Sequence, residues 1–238
     1  MNKLDVTLVM EKSWSIFKKN WLRLSCLSLL TIAGALIVEF FNPYSTPTNL
    51  PPKELIMWYL ENGESDWVWT MLTSLVTIGL SVLLVKETVE VTMGKHITLT
   101  GSIFLRFLIV SVIVSLVDDV TFCCCIIPFF IVAPRLILAD IYILDNPNMS
   151  VGEALERSWK TTKGNVMKLI VLGIIAVVIL MLGACCCLLG VIPAMALVYV
   201  MVVVVYQFLN EQMEGTDGVE AKQDEVSFVV EEQTVARD

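Results

Sequence analysis

An all-α, polytopic bundle of about six membrane-spanning helices, with amphipathic helices on its cytoplasmic face, is the fold class this chain predicts. Three observations carry that prediction. Of its 238 residues, 56% are apolar and 17% charged, against about 45–50% and 25% in soluble domains. Its mean hydropathy is +0.77. The apolar residues also fall in blocks of the length, about 17–25 residues, that a helix needs to cross a hydrocarbon core. A water-soluble enzyme is not expected on these grounds.

The elements follow in order. Residues 5–20 form an amphipathic helix that feeds a first span over 22–41, broken only by Arg23 and Glu39 near its ends. Residues 42–66 read as a loop with four prolines (Pro43, Pro47, Pro51, Pro52) and one short interfacial helix, Glu54–Leu60. A second span covers 67–85. The third, 103–117, is short, with Arg106 placed to snorkel to the interface. Asp118–Asp119 make a tight turn into a fourth span, 122–144, which holds Pro128 and Pro134. A second amphipathic helix over 150–165 leads into a closing hairpin of spans, 166–182 and 188–209. Residues 1–210 are thus the membrane domain. Residues 211–238 are a tail with nine acids against Lys222 and Arg237 and no apolar stripe, a composition that predicts disorder.

Charge sets the orientation. Of the 16 basic residues, all but Lys53 and Arg135 fall on one side of the predicted spans. By the positive-inside rule that side is cytoplasmic, and both termini lie there. The first 20 residues are amphipathic and lack a small-residue cleavage site, so no cleavable signal is expected. The basic residues are scattered, which argues against nucleic acid as a partner.

The most informative feature is an internal repeat. Asp5–Leu24 (DVTLVMEKSWSIFKKNWLRL) and Ser150–Leu169 (SVGEALERSWKTTKGNVMKL) align without a gap at an offset of 145 residues, with seven of twenty positions identical. At about 100° per residue, Val6, Val9, Met10, Trp14, Phe17 and Trp21 share one arc, as do Val151, Ala154, Leu155, Trp159, Thr162 and Val166. Asp5 and Ser150 are N-cap candidates, and Ser150 with Glu153 makes a capping box. Each copy is then a helix along the cytoplasmic surface, anchored by Trp14, Trp21 and Trp159 at headgroup depth, with Lys18 and Lys163 outward. Such helices either anchor the bundle or form a collar that organises lipid or a partner. Because both copies face one side, the repeat is parallel. Residues 94–107 carry a fainter third echo.

Seven cysteines comprise Cys26 and two runs, Cys123, Cys124, Cys125 and Cys185, Cys186, Cys187, each at the outer end of a span and followed by proline. Three readings fit: an interhairpin disulfide, a thiolate cluster for a soft metal, or small apolar residues where helices pack closely. No CxxC spacing with accompanying histidine occurs, and His96 is the sole histidine. That excludes two-histidine catalysis and a histidine-rich metal centre. Neither a metal nor a cofactor is expected.

Ionisable residues inside a span are costly and mark candidate sites. Arg135 is the deepest, and Asp140 follows at i+5, about 140° around the helix, so the two pair only through an unwound turn near Pro134. Arg135 is the candidate for a structural ion pair, for snorkelling, or for a lipid-phosphate or substrate site. No Gly-rich phosphate loop, HExxH, GxSxG or paired-carboxylate motif appears, so no catalytic residue is predicted.

The stretch from Pro128 through Arg135 and Asp145 to Ser150–Asn165 (SVGEALERSWKTTKGN), with Gly190, Pro193 and the closing Tyr206-Gln-Phe-Leu, resembles a bacterial integral-membrane superfamily. That superfamily contains the YciC-like proteins and the membrane domain of certain glycerophosphodiester phosphodiesterases. The resemblance covers roughly residues 5–210 and implies a six-helix domain in the bacterial plasma membrane, without an established activity of its own. The soluble phosphodiesterase that follows this domain in some relatives has no counterpart here, so its activity does not carry over. The expectation is a non-enzymatic protein that organises or regulates a process at the inner face. Membrane lipid, and a protein docked through the acidic tail, would be its partners. The alternative is a small transporter or lipid-handling protein with a polar site near Arg135.

Overall fold

The computed structural model describes residues 4–43, 51–124, 132–185 and 188–235, with backbone alone at 52, 59–60, 62–67, 119, 122–124, 188 and 214–235. Both predicted N-caps form. The Asp5 carboxylate accepts from the amides of Thr7 and Leu8, and Ser150 and Glu153 close a reciprocal capping box. The helices are α1 (Val6–Phe40), α2 (Pro52–Met93), α3 (Gly101–Cys124), α4 (Ala139–Asp145), α5 (Val151–Thr162), α6 (Val166–Cys185) and α7 (Leu188–Val235). One further helical turn lies at 132–136, and no strand occurs among the described residues. Five segments are long and apolar enough to cross a membrane: Val6–Phe40, Val68–Met93, Gly101–Asp118, Val166–Cys185 and Leu189–Met213. The chain is a polytopic helical bundle.

The last of these segments is the hub. In its most apolar window 44% of residues are buried, against 11% for α6. α1 and α6 flank α7, α2 packs on both α1 and α7, and α3, α4 and α5 form a second group against α2. Lipid offers no hydrophobic drive between spans, so close contact depends on small residues. At Gly183 an added Cβ would stand 2.6 Å from the Gly190 carbonyl oxygen and 2.8 Å from Ala194 Cβ. The backbones of α6 and α7 therefore touch there. Ile174, Val177, Val178, Met181 and Leu182 on α6 are exposed, as a lipid-facing surface requires.

Several boundaries differ from the sequence reading. The first amphipathic helix and first span form a single helix that departs from helical geometry only at Asn20 (φ −124°, ψ 17°). The Asn20 side-chain amide donates to the Ile16 carbonyl at 3.2 Å, a local bond that competes with the helical ladder. The short helix at 54–60 and the second span likewise join as α2. It begins at Pro52, where a missing N–H costs nothing. Asp118–Asp119 make no turn, since α3 continues to Cys124.

The fourth expected span, 122–144, is not one helix. Residues 125–131, Pro128 among them, lie outside the described residues. Beyond them the chain forms the turn at 132–136, breaks at 137–138 and resumes as α4. Pro134, which has no amide to give, sits just before that break. The chain nevertheless returns along α3. Ser111 donates to Asp140 at 2.8 Å, and Arg106, near the start of α3, donates to the carbonyls of Pro147 and Met149 at 2.8 and 3.3 Å. Finally, α7 carries the backbone of the acidic tail as helix to Val235, where the sequence reading expects disorder. Glu and Gln, nine of the tail's 28 residues, are good helix formers.

The residue before the Asp5 cap meets the turn between α5 and α6 at one end of the bundle. The Leu4 amide donates to Asn165 Oδ1 at 3.3 Å, and Lys168 Nζ donates to the Leu4 carbonyl. At the same end Lys95, just past α2, pairs with Asp145 at the end of α4 (2.7 Å).

Candidate functional site

Polar side chains converge at this end. α4 is buried along most of its length, at Ala139, Ile141, Tyr142, Ile143 and Leu144. This sets Tyr142 against Tyr206 of α7, edge to face, with ring centroids 4.8 Å apart. The Tyr142 hydroxyl lies 2.7 Å from Thr161 Oγ1 of α5 and 3.3 Å from Asn210 Oδ1 of α7. The Tyr206 hydroxyl donates to Asp145 Oδ2 at 2.8 Å, and Lys95 donates to Asp145 Oδ1 at 2.7 Å. Both carboxylate oxygens of this nearly buried aspartate are thereby satisfied, which burial of a charge demands. Gln207 Nε2 donates to the Thr92 carbonyl at 3.1 Å, and the Arg157 guanidinium faces the Tyr142 ring at 5.6 Å. Four elements are tied together: the end of α2, α4, α5 and α7.

A cavity of about 260 Å³ opens among them, lined by Lys95, Asp145, Arg157, Gln207 and Glu211, with other neighbours. Its walls carry two cations, two carboxylates and three side-chain amides, those of Asn146, Gln207 and Asn210. The arrangement can fix helix ends to one another and can hold a small polar group. The sequence reading did not single out Tyr142, Arg157 or Asn210. Asp145, Tyr206 and Gln207 entered only through the family resemblance. The available signal was positional, in that all of them except Arg157, which lies within the 150–165 stretch, stand near the end of an apolar block.

The predicted intramembrane pair is not brought together. Asp140 accepts from Ser111. Arg135 instead stacks over the Trp159 ring at 4.3 Å, and its carbonyl accepts from Ser158 Oγ at 2.6 Å. The buried Arg135 Nε finds no hydrogen-bond partner among the described residues. Two predicted candidates, Arg135 and the interfacial Trp159, are thus in contact.

Trp14, Trp21 and Trp159 are all exposed, as are Lys18 and Lys163. The buried face of each copy is centred elsewhere, on Val9, Ser13 and Phe17 in the first and on Ala154, Ser158 and Thr162 in the second. The repeated Ser-Trp pair marks the boundary: serine is small enough to pack against a neighbouring helix, while tryptophan remains at the rim. The start of α1 rests on the last hairpin, enclosing an apolar groove of about 340 Å³ between Met10, Trp14, Ile179, Leu197 and Met201. Of the cysteine runs, Cys185 is exposed and free among the described residues. The side chains of Cys123 and Cys124, and all of Cys125, Cys186 and Cys187, lie outside them, and with them the predicted disulfide or thiol cluster.

Outside the spans, Glu153 is held below the ordinary carboxylate range by its hydrogen bond from the Ser150 amide, so the capping box is charged at neutral pH. No family model matches the chain, and neither a curated protein nor a solved structure matches it.

Proposed function

We propose that this chain is a non-enzymatic protein of a bacterial plasma membrane, akin to the YciC-like superfamily, that organises or regulates a process at the inner face. On this reading residues 5–24 and 150–169 are duplicated copies of one surface helix, both termini are cytoplasmic, and the acidic tail is a docking segment. One observation carries it. The Leu4 backbone, just before the first copy, bonds Asn165 and Lys168 of the second, at the end of the bundle where the polar side chains of α2, α4, α5 and α7 bind one another, with Trp14 and Trp159 exposed. A surface built this way is rigid, capped and able to receive lipid or a partner.

Photocrosslinking in the native membrane tests the reading. Probes at Lys18 and Lys163 should yield a defined crosslinked species that Trp14→Ala, Trp159→Ala or truncation after Asn210 removes. An unchanged pattern in all three variants defeats it. A second reading, lipid handling near Arg135, is favoured by the unpartnered Arg135 Nε beside Trp159. It predicts that Arg135→Ala keeps the fold but loses a bound anionic lipid.

A further inference from the structure

The cavity at the polar end has a charge arrangement that goes beyond an inner-face organising role. Lys95 and Asp145 neutralise each other there at 2.7 Å. Arg157 and Glu211 line the same cavity, and neither has a salt-bridge partner among the described residues. Arg157 is steadied by the Tyr142 ring, and Glu211 stands exposed at the rim. One unneutralised cation and one unneutralised carboxylate thus share about 260 Å³. A bare anion would satisfy only the first and a bare cation only the second, so the pair calls for a ligand that carries both charges.

We propose that this cavity binds a small zwitterion, its anionic oxygens on Arg157 and its ammonium on Glu211. A phosphoethanolamine group has that chemistry, whether as a phospholipid head group reaching in from the bilayer or as a free solute from the aqueous side.

The test uses the full chain in delipidated detergent micelles, titrated calorimetrically with O-phosphoethanolamine, inorganic phosphate and ethanolamine. O-phosphoethanolamine should bind at least tenfold more tightly than either half. Arg157→Gln should weaken it at least tenfold, with Lys53→Gln, on the opposite side of the predicted topology, as a charge-matched control that changes nothing. Glu211→Gln, at an exposed position, should weaken O-phosphoethanolamine while sparing phosphate, and it carries the test if a buried variant fails to fold. Native mass spectrometry from phosphatidylethanolamine and phosphatidylglycerol nanodiscs separates the two sources. One retained phosphatidylethanolamine that free O-phosphoethanolamine cannot displace assigns the lipid head group, and ready displacement assigns the solute. Phosphate binding as tightly as O-phosphoethanolamine, no binding by the folded chain, or indifference to Glu211→Gln overturns the proposal.

Discussion

Residues 5–24 and 150–169 begin alike and end differently. Each opens on a capped first turn. Each buries its equivalent positions, Val9 with Ala154, Ser13 with Ser158, Phe17 with Thr162 and Leu24 with Leu169, while Trp14 and Trp159 stay exposed. In the first copy, however, the helix runs through Asn20 into the span with only a kink. In the second, Lys163–Asn165 form a turn with Gly164 at φ 91°, and a new helix starts at Val166. The position of Gly164 is held by Lys19 in the first copy. A lysine there favours a continuous rod, whereas glycine enters the left-handed region freely. The buried serines differ as well: Ser13 bonds the Val9 carbonyl of its own helix, but Ser158 reaches across to the Arg135 carbonyl. One motif therefore serves as a strut along the last hairpin in the first copy and as a tie to the polar end in the second.

That contrast can be broken at its turn. Gly164→Val should cost about 2–3 kcal/mol, because a β-branched residue is strained at positive φ. Lys19→Gly should cost only about 1 kcal/mol, through helix propensity. Denaturation in mild detergent reads both, and equal losses would erase the distinction. Next in size, Tyr206→Phe removes one of the two donors to Asp145 and should cost about 1–2 kcal/mol. Hydrogen exchange should show the loss in α4 and α5, with residues 6–19 unaffected.

Ser158→Ala should cost about 1 kcal/mol, since it strips a hydrogen bond between elements. Ser13→Ala should cost less, because the Val9 carbonyl keeps its place in the helical ladder. The smallest effect belongs to acid. The Glu153 carboxyl is held low by the capping box, so its stabilisation is complete above its unfolded pKa and lost as pH falls through the lower folded value. Amide exchange in the first turn of α5 should rise over that acidic interval, and Glu153→Gln should remove the dependence. The first copy carries Leu8 at this position and has no such box.

Much of this architecture can be read from residues alone. The apolar blocks place the spans and the caps place the surface helices, since both rest on local chemistry. The misplaced boundaries share a cause: Asp118–Asp119, the residues after Pro52 and the Lys18–Asn20 junction are all locally ambiguous, and the backbone continues wherever nothing forbids it. The break at 137–138 follows Pro134, which the sequence reading takes only as an unwound turn within one span. The polar end was hidden because its members meet only on packing. Lys95, Asp145, Arg157 and Tyr206 come from four separated stretches, and each alone looks like an ordinary helix or helix-end residue. Arg135 drew attention by its depth, yet its neighbour proved to be Trp159, an aromatic face instead of a carboxylate.

The central claim is that both copies lie at the inner face. Three native lysines test it without any substitution: Lys18, Lys163 and, on the opposite side of the predicted topology, Lys53, all exposed. A membrane-impermeant amine reagent applied to intact spheroplasts and to inside-out vesicles, followed by peptide mass spectrometry, reports which side each occupies. The account predicts that spheroplasts label Lys53 alone of the three, and that inverted vesicles label Lys18 and Lys163 together. Labelling of Lys18 and Lys163 from opposite sides, or of both from outside, would contradict it.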